Sequence, residues 1–175
     1  MFPLNFRLVT SRLVIRRMHP DDWQDLYDYL SDAETVYYEP YDVYSKEDAR
    51  LEAANRANNA AFFAVCLQSN GKMIGNLYFA PAQDGTYELG YVFNRKYRGK
   101  NYAYESCAAL VSYAFRKGIA ERVMAECDAR NVRSHHLMER LGMEREDSFM
   151  GPDFTGQAEK TLCYRYSVSR DSYKK

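Results

Sequence analysis

A short basic turn that contains glycine is the first feature of this sequence that suggests chemistry. It lies between a predicted strand and a predicted helix and consists of Arg98, Gly99, Lys100, Asn101, Tyr102 and Ala103. Such a turn gathers backbone N–H groups and the positive end of the helix dipole at one point, which favours an anion. Gly99 permits a φ angle that larger residues resist. The turn therefore predicts a diphosphate site, although plain turn chemistry has the same composition.

A second element follows the turn after one more helix and strand. Asn131 opens a predicted helix that carries Ser134 in its first turn and ends at Gly142. Together the two elements resemble the acetyl-CoA motif of the GNAT superfamily, and the turn is similar to that of the branch that acetylates ribosomal-protein N-termini. The resemblance extends from about Leu8 to Tyr166. It implies transfer of an acetyl group to a primary amine, with a non-catalytic acyl-CoA-binding module as the alternative.

The resemblance also implies how the cofactor is held. The backbone amides of residues 98–103 would bind the pyrophosphate of coenzyme A, and Asn131 would bind the pantetheine amides, cap its helix, or do both. One departure from the family pattern is Asn101, since glycine is usual at that position. The turn must place this asparagine in the left-handed region, which Asn visits more readily than most residues, or shift slightly.

Two residues are candidates for proton transfer. Acetylation requires a neutral amine, so a base is useful, and the resemblance implies Glu88 at the start of a Glu-Leu-Gly-Tyr segment. The tyrosine that many family members use to reprotonate the thiolate is replaced by Met138. The resemblance implies Ser134 near the thioester sulfur instead. The alternatives are an exposed strand carboxylate for Glu88 and a packed hydroxyl for Ser134.

An acidic segment rich in tyrosine, Asp32 to Tyr44, is the candidate acceptor site. A loop after the first helix flanks the acceptor side in GNAT proteins, and carboxylates and ring faces attract a cationic amine. The residues assigned to substrate binding are Glu34, Tyr38, Glu39 and Tyr41. The alternative is a solvated loop whose tyrosines pack on the sheet. The sequence does not separate a protein N-terminus from a small amine as the acceptor.

The elements that would position these residues follow from hydrophobic periodicity. Six apolar or alternating segments predict strands, and an Asn70-Gly71 turn predicts a hairpin between two of them. Four amphipathic segments predict helices, of which the first carries Trp23, Leu26 and Leu30 on one stripe. We expect one α+β domain over residues 1–175, with a mixed, mostly antiparallel sheet of about six to seven strands and about four helices.

The composition excludes several classes of protein. The 175 residues include 46% hydrophobic and 27% charged side chains, which is typical of a globular domain. The 24 basic and 24 acidic residues cancel, so no overall field favours nucleic acid or an anionic membrane. No leader or membrane-length apolar run is present, and we expect a cytoplasmic protein. The sequence leaves a homodimer open.

No metal site is expected from the spacing of the possible ligands. Four cysteines lie far apart within apolar segments, which indicates buried free thiols. His135 and His136 are neighbours on a predicted helix, where adjacent positions point about 100° apart. We therefore expect them to lie at the surface or behind the site and not to share one site.

Overall fold

Eight strands form one continuous sheet in the computed structural model, which describes residues 2–3 and 5–174. In chain order the strands are β1 (Arg7–Val9), β2 (Leu13–Arg17), β3 (Phe62–Leu67), β4 (Met73–Pro81), β5 (Thr86–Phe93), β6 (Arg122–Asp128), β7 (Glu144–Pro152) and β8 (Lys160–Ser169). Their order in the sheet is β1-β2-β3-β4-β5-β6-β8-β7. Every neighbouring pair is antiparallel except β5 and β6. The mixed, mostly antiparallel sheet is as predicted.

The sheet has more strands than the six to seven expected. The two additions, β1 and β7, lie at its edges. β1 has only three residues, and β7 is exposed along most of its length, so neither shows the alternation of buried and exposed side chains that reveals a strand. The loop predicted from Gly151 begins inside β7. Edge strands of this kind form because the neighbouring strand offers hydrogen bonds, not because their own side chains are apolar.

Five α-helices cover the two faces of the sheet. They are α1 (Trp23–Leu30), α2 (Ala33–Val36), α3 (Lys46–Asn58), α4 (Tyr102–Arg116) and α5 (Val132–Arg140). Four were predicted, and α2 is an extra single turn within the acidic segment that was expected to be irregular. α4 buries Cys107, Leu110 and Val111 in one core, whereas α1 buries Leu26 and Leu30 in the other. The predicted stripes therefore face the sheet from opposite sides.

The parallel pairing of β5 with β6 is unusually short. The register pairs Thr86 with Arg122, Tyr87 with Val123 and Glu88 with Met124, and the pairing ends there. β5 nevertheless continues to Phe93 and stays paired with β4 on its other side. β6 likewise continues, paired with β8. The two strands therefore diverge beyond Glu88 and open a gap in the middle of the sheet.

A buried polar cluster joins α1 and α3 to the sheet. The side-chain carbonyl of Asn76 on β4 accepts hydrogen bonds from the Tyr29 hydroxyl (2.7 Å) and from Nη1 of Arg56 (3.1 Å). Nε of Arg56 donates to Glu52 at 2.6 Å. Both Arg56 and Asn76 are at most 3% exposed. Each buried polar group is thus satisfied by the others, which fixes the two helices on the strand that supports β5.

Replacing the shared acceptor should destabilise the fold measurably. In Asn76→Leu, the Tyr29 hydroxyl and one Arg56 nitrogen lose their buried partner, so the free energy of unfolding should fall by about 2–4 kcal/mol. Urea denaturation followed by circular dichroism measures this difference. Asn58→Ala, at an exposed position of α3, is the matched control and should change stability little. Equal losses in the two variants would contradict the role of the cluster.

Candidate active site

A cleft of about 1060 Å³ opens where β5 and β6 diverge. It brings together most of the residues that the sequence assigned to the site. Those that line it are Arg98, Gly99, Asn101, Tyr102, Ala103, Asn131, Ser134, Glu34, Tyr38 and Glu39. The remaining three assigned residues, Glu88, Lys100 and Tyr41, are not among the lining residues. The cleft is therefore bordered by the basic turn, the first turns of α4 and α5, and the acidic segment.

The basic turn has the backbone geometry that its sequence suggested. Gly99 has φ +75° and Asn101 has φ +67°, so both lie in the left-handed region. Asn101 thus takes the conformation expected of it at a position where glycine is usual. Its side-chain carbonyl accepts a hydrogen bond from Nη2 of Arg140 on α5 at 2.7 Å. A β-carbon at Gly99 would meet nothing within 4 Å, so only the φ angle favours glycine there.

The first turn of α4 is held in place from outside the cleft. The carboxylate of Glu105 accepts hydrogen bonds from Thr10 (2.6 Å), Ser11 (3.1 Å) and the backbone N–H of Arg12 (3.0 Å). Burial acts to raise the pKa of Glu105, but these hydrogen bonds outweigh it and the pKa is lowered. Glu105 is therefore a structural residue that fixes the helix N-terminus, as its position in the first turn indicated.

An anion already lies against the cations of the turn, namely the carboxylate of Glu34 on α2. It forms ion pairs with Arg98, with Arg95 (3.2 Å) and, more distantly, with Arg133 on α5 (3.7 Å). The hydrogen bond from Arg98 is the main reason that the pKa of Glu34 is lowered. Three arginines thus converge on one carboxylate, and a phosphate group has the charge and the acceptor oxygens to take its place. The turn and these arginines thus fit the diphosphate of coenzyme A.

Lys100 contributes less to the cleft than its charge suggested. The residue is exposed, and its Nζ lies 5.6 Å from the centre of the Tyr97 ring. Tyr97 itself lines the cleft. The charge of Lys100 could therefore reach an anion in the cleft only through solvent, where salt screens it.

Ser134 lies at the inner part of the cleft and is positioned by two neighbours. Its backbone N–H donates to the side-chain carbonyl of Asn131 at 3.3 Å. Asn131 therefore caps the N-terminus of α5, which is one of the two roles expected of it. The Tyr91 hydroxyl on β5 lies 2.8 Å from Oγ of Ser134 and 3.1 Å from its backbone carbonyl. Burial raises the pKa of Tyr91 far above its ordinary value, so this hydroxyl remains protonated and can donate.

Glu39 is the carboxylate of the cleft with the most perturbed environment. Burial raises its pKa to about 7, although the Tyr41 hydroxyl, 3.4 Å from Oε2, and the charge of Arg56 act to lower it. Tyr41 packs edge-on against Tyr44, with ring centres 5.3 Å apart. Tyr41 therefore contacts Glu39 through its hydroxyl and is not one of the residues that line the cleft. A carboxyl group that titrates near neutral pH can accept a proton from a bound amine.

Glu88 on β5 is the base that the resemblance implies, and that role stays a prediction. It pairs with Ala80 on β4 and with Met124 on β6, at the last point where β5 and β6 remain together. Burial and the charge of Glu126 raise its pKa. The side chain is half-buried just outside the residues that line the cleft.

Comparison with known proteins agrees with this geometry. Residues 12–144 match the model of the family described as "Acetyltransferase (GNAT) domain". The chain belongs to the GNAT acetyltransferase family. It is 37% identical over 144 residues to "Uncharacterized N-acetyltransferase YnaD" of Bacillus subtilis (strain 168), a match that covers 81% of this chain and 85% of that protein.

Two further relatives support the family assignment. The "[Ribosomal protein uS5]-alanine N-acetyltransferase" of Escherichia coli (strain K12) is 31% identical over 153 residues, covering 80% of this chain and 79% of that one. The crystal structure of the acetyltransferase (GNAT family) from Bacillus anthracis has a TM-score of 0.88 at 32% identity, covering 95% of this chain and 99% of that one. This protein is therefore an acetyltransferase with the GNAT fold.

No helix within its described residues is long and apolar enough to cross a bilayer.

Several residues of this GNAT cleft were not assigned from the sequence. Tyr91, Arg133, His136 and Arg140 all line it. Strand alternation placed Tyr91 on the face of Leu89 and Phe93, but nothing in that pattern indicated that its hydroxyl would reach Ser134. The arginines lie on α5, whose orientation toward the cleft depends on how the helix packs against β6. The signal for these residues is tertiary and becomes visible only once β5 and β6 are seen to diverge.

The two adjacent histidines differ from expectation. Their ring centres lie 5.0 Å apart with the planes at 81°, although α5 directs neighbouring side chains about 100° apart. The expectation that they cannot share one site was wrong. The angle between Cβ positions does not fix the rings, because rotation about χ1 and χ2 moves each imidazole several ångströms.

The ion pairs of Glu34 predict an effect on cofactor binding. In Glu34→Gln, the arginines no longer pair with a carboxylate that coenzyme A must displace, so its affinity should rise by about two- to fivefold. Isothermal titration with coenzyme A measures the change, which should shrink at high salt. Glu47→Gln, an exposed acid paired with Arg50 on α3, is the matched control. Unchanged coenzyme A affinity together with a raised KM for the amine would instead support the acceptor role first assigned to Glu34.

Proposed function

We propose that this protein transfers the acetyl group of acetyl-CoA to a primary amine by direct attack of the amine on the thioester. The observation that carries the proposal is the pairing, in one cleft, of a turn whose Gly99 and Asn101 lie in the left-handed region with a partly buried carboxyl group at Glu39. The turn would hold the diphosphate of the cofactor through the amides of residues 98–103. The carboxyl group would receive the proton that the amine must lose.

Direct transfer is favoured over a covalent acetyl-enzyme. A thiolate is the nucleophile that such an intermediate would need. All four cysteines are free, but burial raises the pKa of each, and that of Cys127, which is within hydrogen-bonding reach of Ser134, rises to about 11. Near neutral pH these thiols are therefore protonated, and the amine itself is the better nucleophile.

The proposed reaction moves one proton from nitrogen to sulfur. The lone pair of the neutral amine attacks the thioester carbon, the nitrogen gives one proton to the Glu39 carboxylate, and the carbon–sulfur bond breaks. The departing coenzyme A thiolate takes up one proton from water, which restores the balance when Glu39 releases its own. Ser134 is proposed to donate a hydrogen bond to that sulfur, because its hydroxyl is held by Tyr91 at 2.8 Å. Many GNAT enzymes have a tyrosine on this helix at the position of Met138, which is buried here. In this chain the phenol beside Ser134 comes instead from Tyr91 on β5.

We propose the α-amine of a protein N-terminus as the acceptor. An α-amine has an ordinary pKa of about 7.7–8.0, close to that of Glu39, whereas a lysine or polyamine ammonium is near 10 and gives up its proton far less readily. Glu34 is also paired with arginines and so offers a cationic substrate little attraction. The name of the Escherichia coli relative, an alanine N-acetyltransferase of ribosomal protein uS5, supports the same class.

The acceptor class is tested by release of free coenzyme A thiol with a panel of amines. Short peptides with a free N-terminal alanine or serine should be acetylated faster than the same peptides with a blocked N-terminus and a free lysine, and faster than polyamines. Faster turnover of lysine or polyamine would redirect the proposal to a small or side-chain amine. Cofactor binding without turnover of any amine would favour the non-catalytic module.

The proposed base predicts a specific pH profile. Glu39 must be ionised to accept a proton, so kcat/KM should rise with pH through an apparent pKa near 7 and be low in acid. Glu39→Gln should lower the rate at neutral pH by about 10²–10⁴-fold and remove the Glu39 contribution to this rise. Glu88→Gln is the matched control and should keep the profile. The reverse pattern would assign the base to Glu88.

Stability separates loss of the base from loss of the fold. Burial favours neutral Glu39, so its pKa is higher in the folded chain than in the unfolded chain. Its stabilising contribution is therefore complete below the unfolded pKa and lost as pH rises through about 7. Glu39→Gln stays neutral and should gain roughly 1–3 kcal/mol relative to the parent above that pH, with little gain near pH 4. A variant that is inactive and also less stable at pH 8 would contradict the assignment.

A further inference from the structure

Helix α5 carries a group of potential metal ligands, one of which, His136, also lines the cleft. His135, His136 and Glu139 each offer one nitrogen or oxygen, and these three atoms lie within 4.8 Å of one another. His136 and Glu139 are exposed, and His135 is 16% exposed at its side chain. Spacing along the sequence had not indicated the group, since adjacent histidines were expected to diverge.

The gap between His135 and Glu139 is the decisive measurement. Nδ1 of His135 is buried and has no hydrogen-bond partner among the described residues, which is uncommon for a buried polar atom. Oε1 of Glu139 lies 3.9 Å from it, too far for a hydrogen bond. An ion bonded to both at about 2.0–2.2 Å would span such a gap. His135 Nδ1 therefore lacks a partner that a bound cation would supply.

The neighbours of these ligands restrict how they can move. The Tyr166 hydroxyl on β8 donates to Oε1 of Glu139 at 3.1 Å, and the His135 ring packs edge-on against Tyr164 with centres 6.0 Å apart. Hydrogen bonds of this kind orient metal-binding carboxylates. A cavity of about 480 Å³ lies alongside and gives solvent access. Its lining includes one further acid, Glu144, and one cation, Arg145, whose charges oppose each other.

We propose that His135, His136 and Glu139 form a binding site for a divalent transition metal ion of the zinc type. Two imidazoles and one carboxylate are a donor set that Zn²⁺ accepts, with water in the remaining position. The exposed side chains of His136 and Glu139 need to close by little more than 1 Å to reach the separations of a tetrahedral site. His135 would then have the partner that its Nδ1 lacks.

Titration of the full chain with Zn²⁺ tests the proposal. The protein carries no histidine tag, and coenzyme A and other thiols are left out because they bind zinc. One ion should bind per chain, and His136→Ala and Glu139→Gln should each weaken binding by at least about tenfold. The matched control is His19→Ala, since His19 is an exposed imidazole 3.2 Å from Asp21 that belongs to no such three-ligand group in the described chain. That variant should bind as the parent does.

Cobalt substitution identifies the ligands independently of affinity. Co²⁺ bound to two imidazoles and a carboxylate should give visible d–d bands without a thiolate-to-cobalt charge-transfer band, and His136→Ala should abolish those bands. Because His136 and Glu139 are exposed, both variants should fold, which circular dichroism checks. No binding at millimolar Zn²⁺, equal affinity in all variants, or a thiolate band from the cysteines would each overturn the proposal.

Discussion

The parallel pairing between β5 and β6 ends after three residue pairs, and the candidate active-site cleft exists because the two strands separate there. Main-chain groups of β5 beyond Glu88 lose their ladder partner on one side while β4 holds the strand on the other. The cleft opens at this gap, and in the proposed reaction it is where a cofactor at the turn before α4 would meet an acceptor beside α2. A continuous sheet with the same residues would keep Tyr91 and Ser134 apart from solvent and substrate.

Electrostatics divides this cleft into two regions. At the turn, exposed arginines converge on Glu34, in surroundings where charge is well solvated and easily exchanged. Glu39 is partly buried, and this burial raises the pKa of its carboxyl group to about 7. The buried Arg56 limits that rise, because its charge acts on Glu39 while its guanidinium is bound to Asn76 and Glu52. The cluster that secures α3 to the sheet therefore also tunes the carboxyl group in the cleft.

The conformation of the turn could be predicted from local steric rules. The burial of individual side chains could not be predicted in the same way. Gly99 and Asn101 could be placed in the left-handed region because few residue types tolerate it. The pKa of Glu39 is raised by burial in the folded chain, which the local sequence around Glu39 does not reveal. Strand β7 was missed because an edge strand needs no apolar alternation. The histidine pair was misjudged because backbone geometry alone does not determine where long side chains end. The sheet core, the main helices, the turn and Ser134 as a cleft residue thus followed from sequence, whereas the contact of Tyr91 with Ser134 and the raised pKa of Glu39 did not.

The position of β8 has a consequence for synthesis on the ribosome. β8 lies between β6 and β7 in the sheet, although it follows both in the chain. Until residues 160–169 have emerged, β7 has no strand to join and the outer edge of β6 has no partner. At about 5–20 residues per second the nascent chain carries this open edge for at least a second or so, in a form that can pair with other chains. β8 therefore closes this part of the sheet, and nascent chains that stall before it are the ones expected to need chaperones.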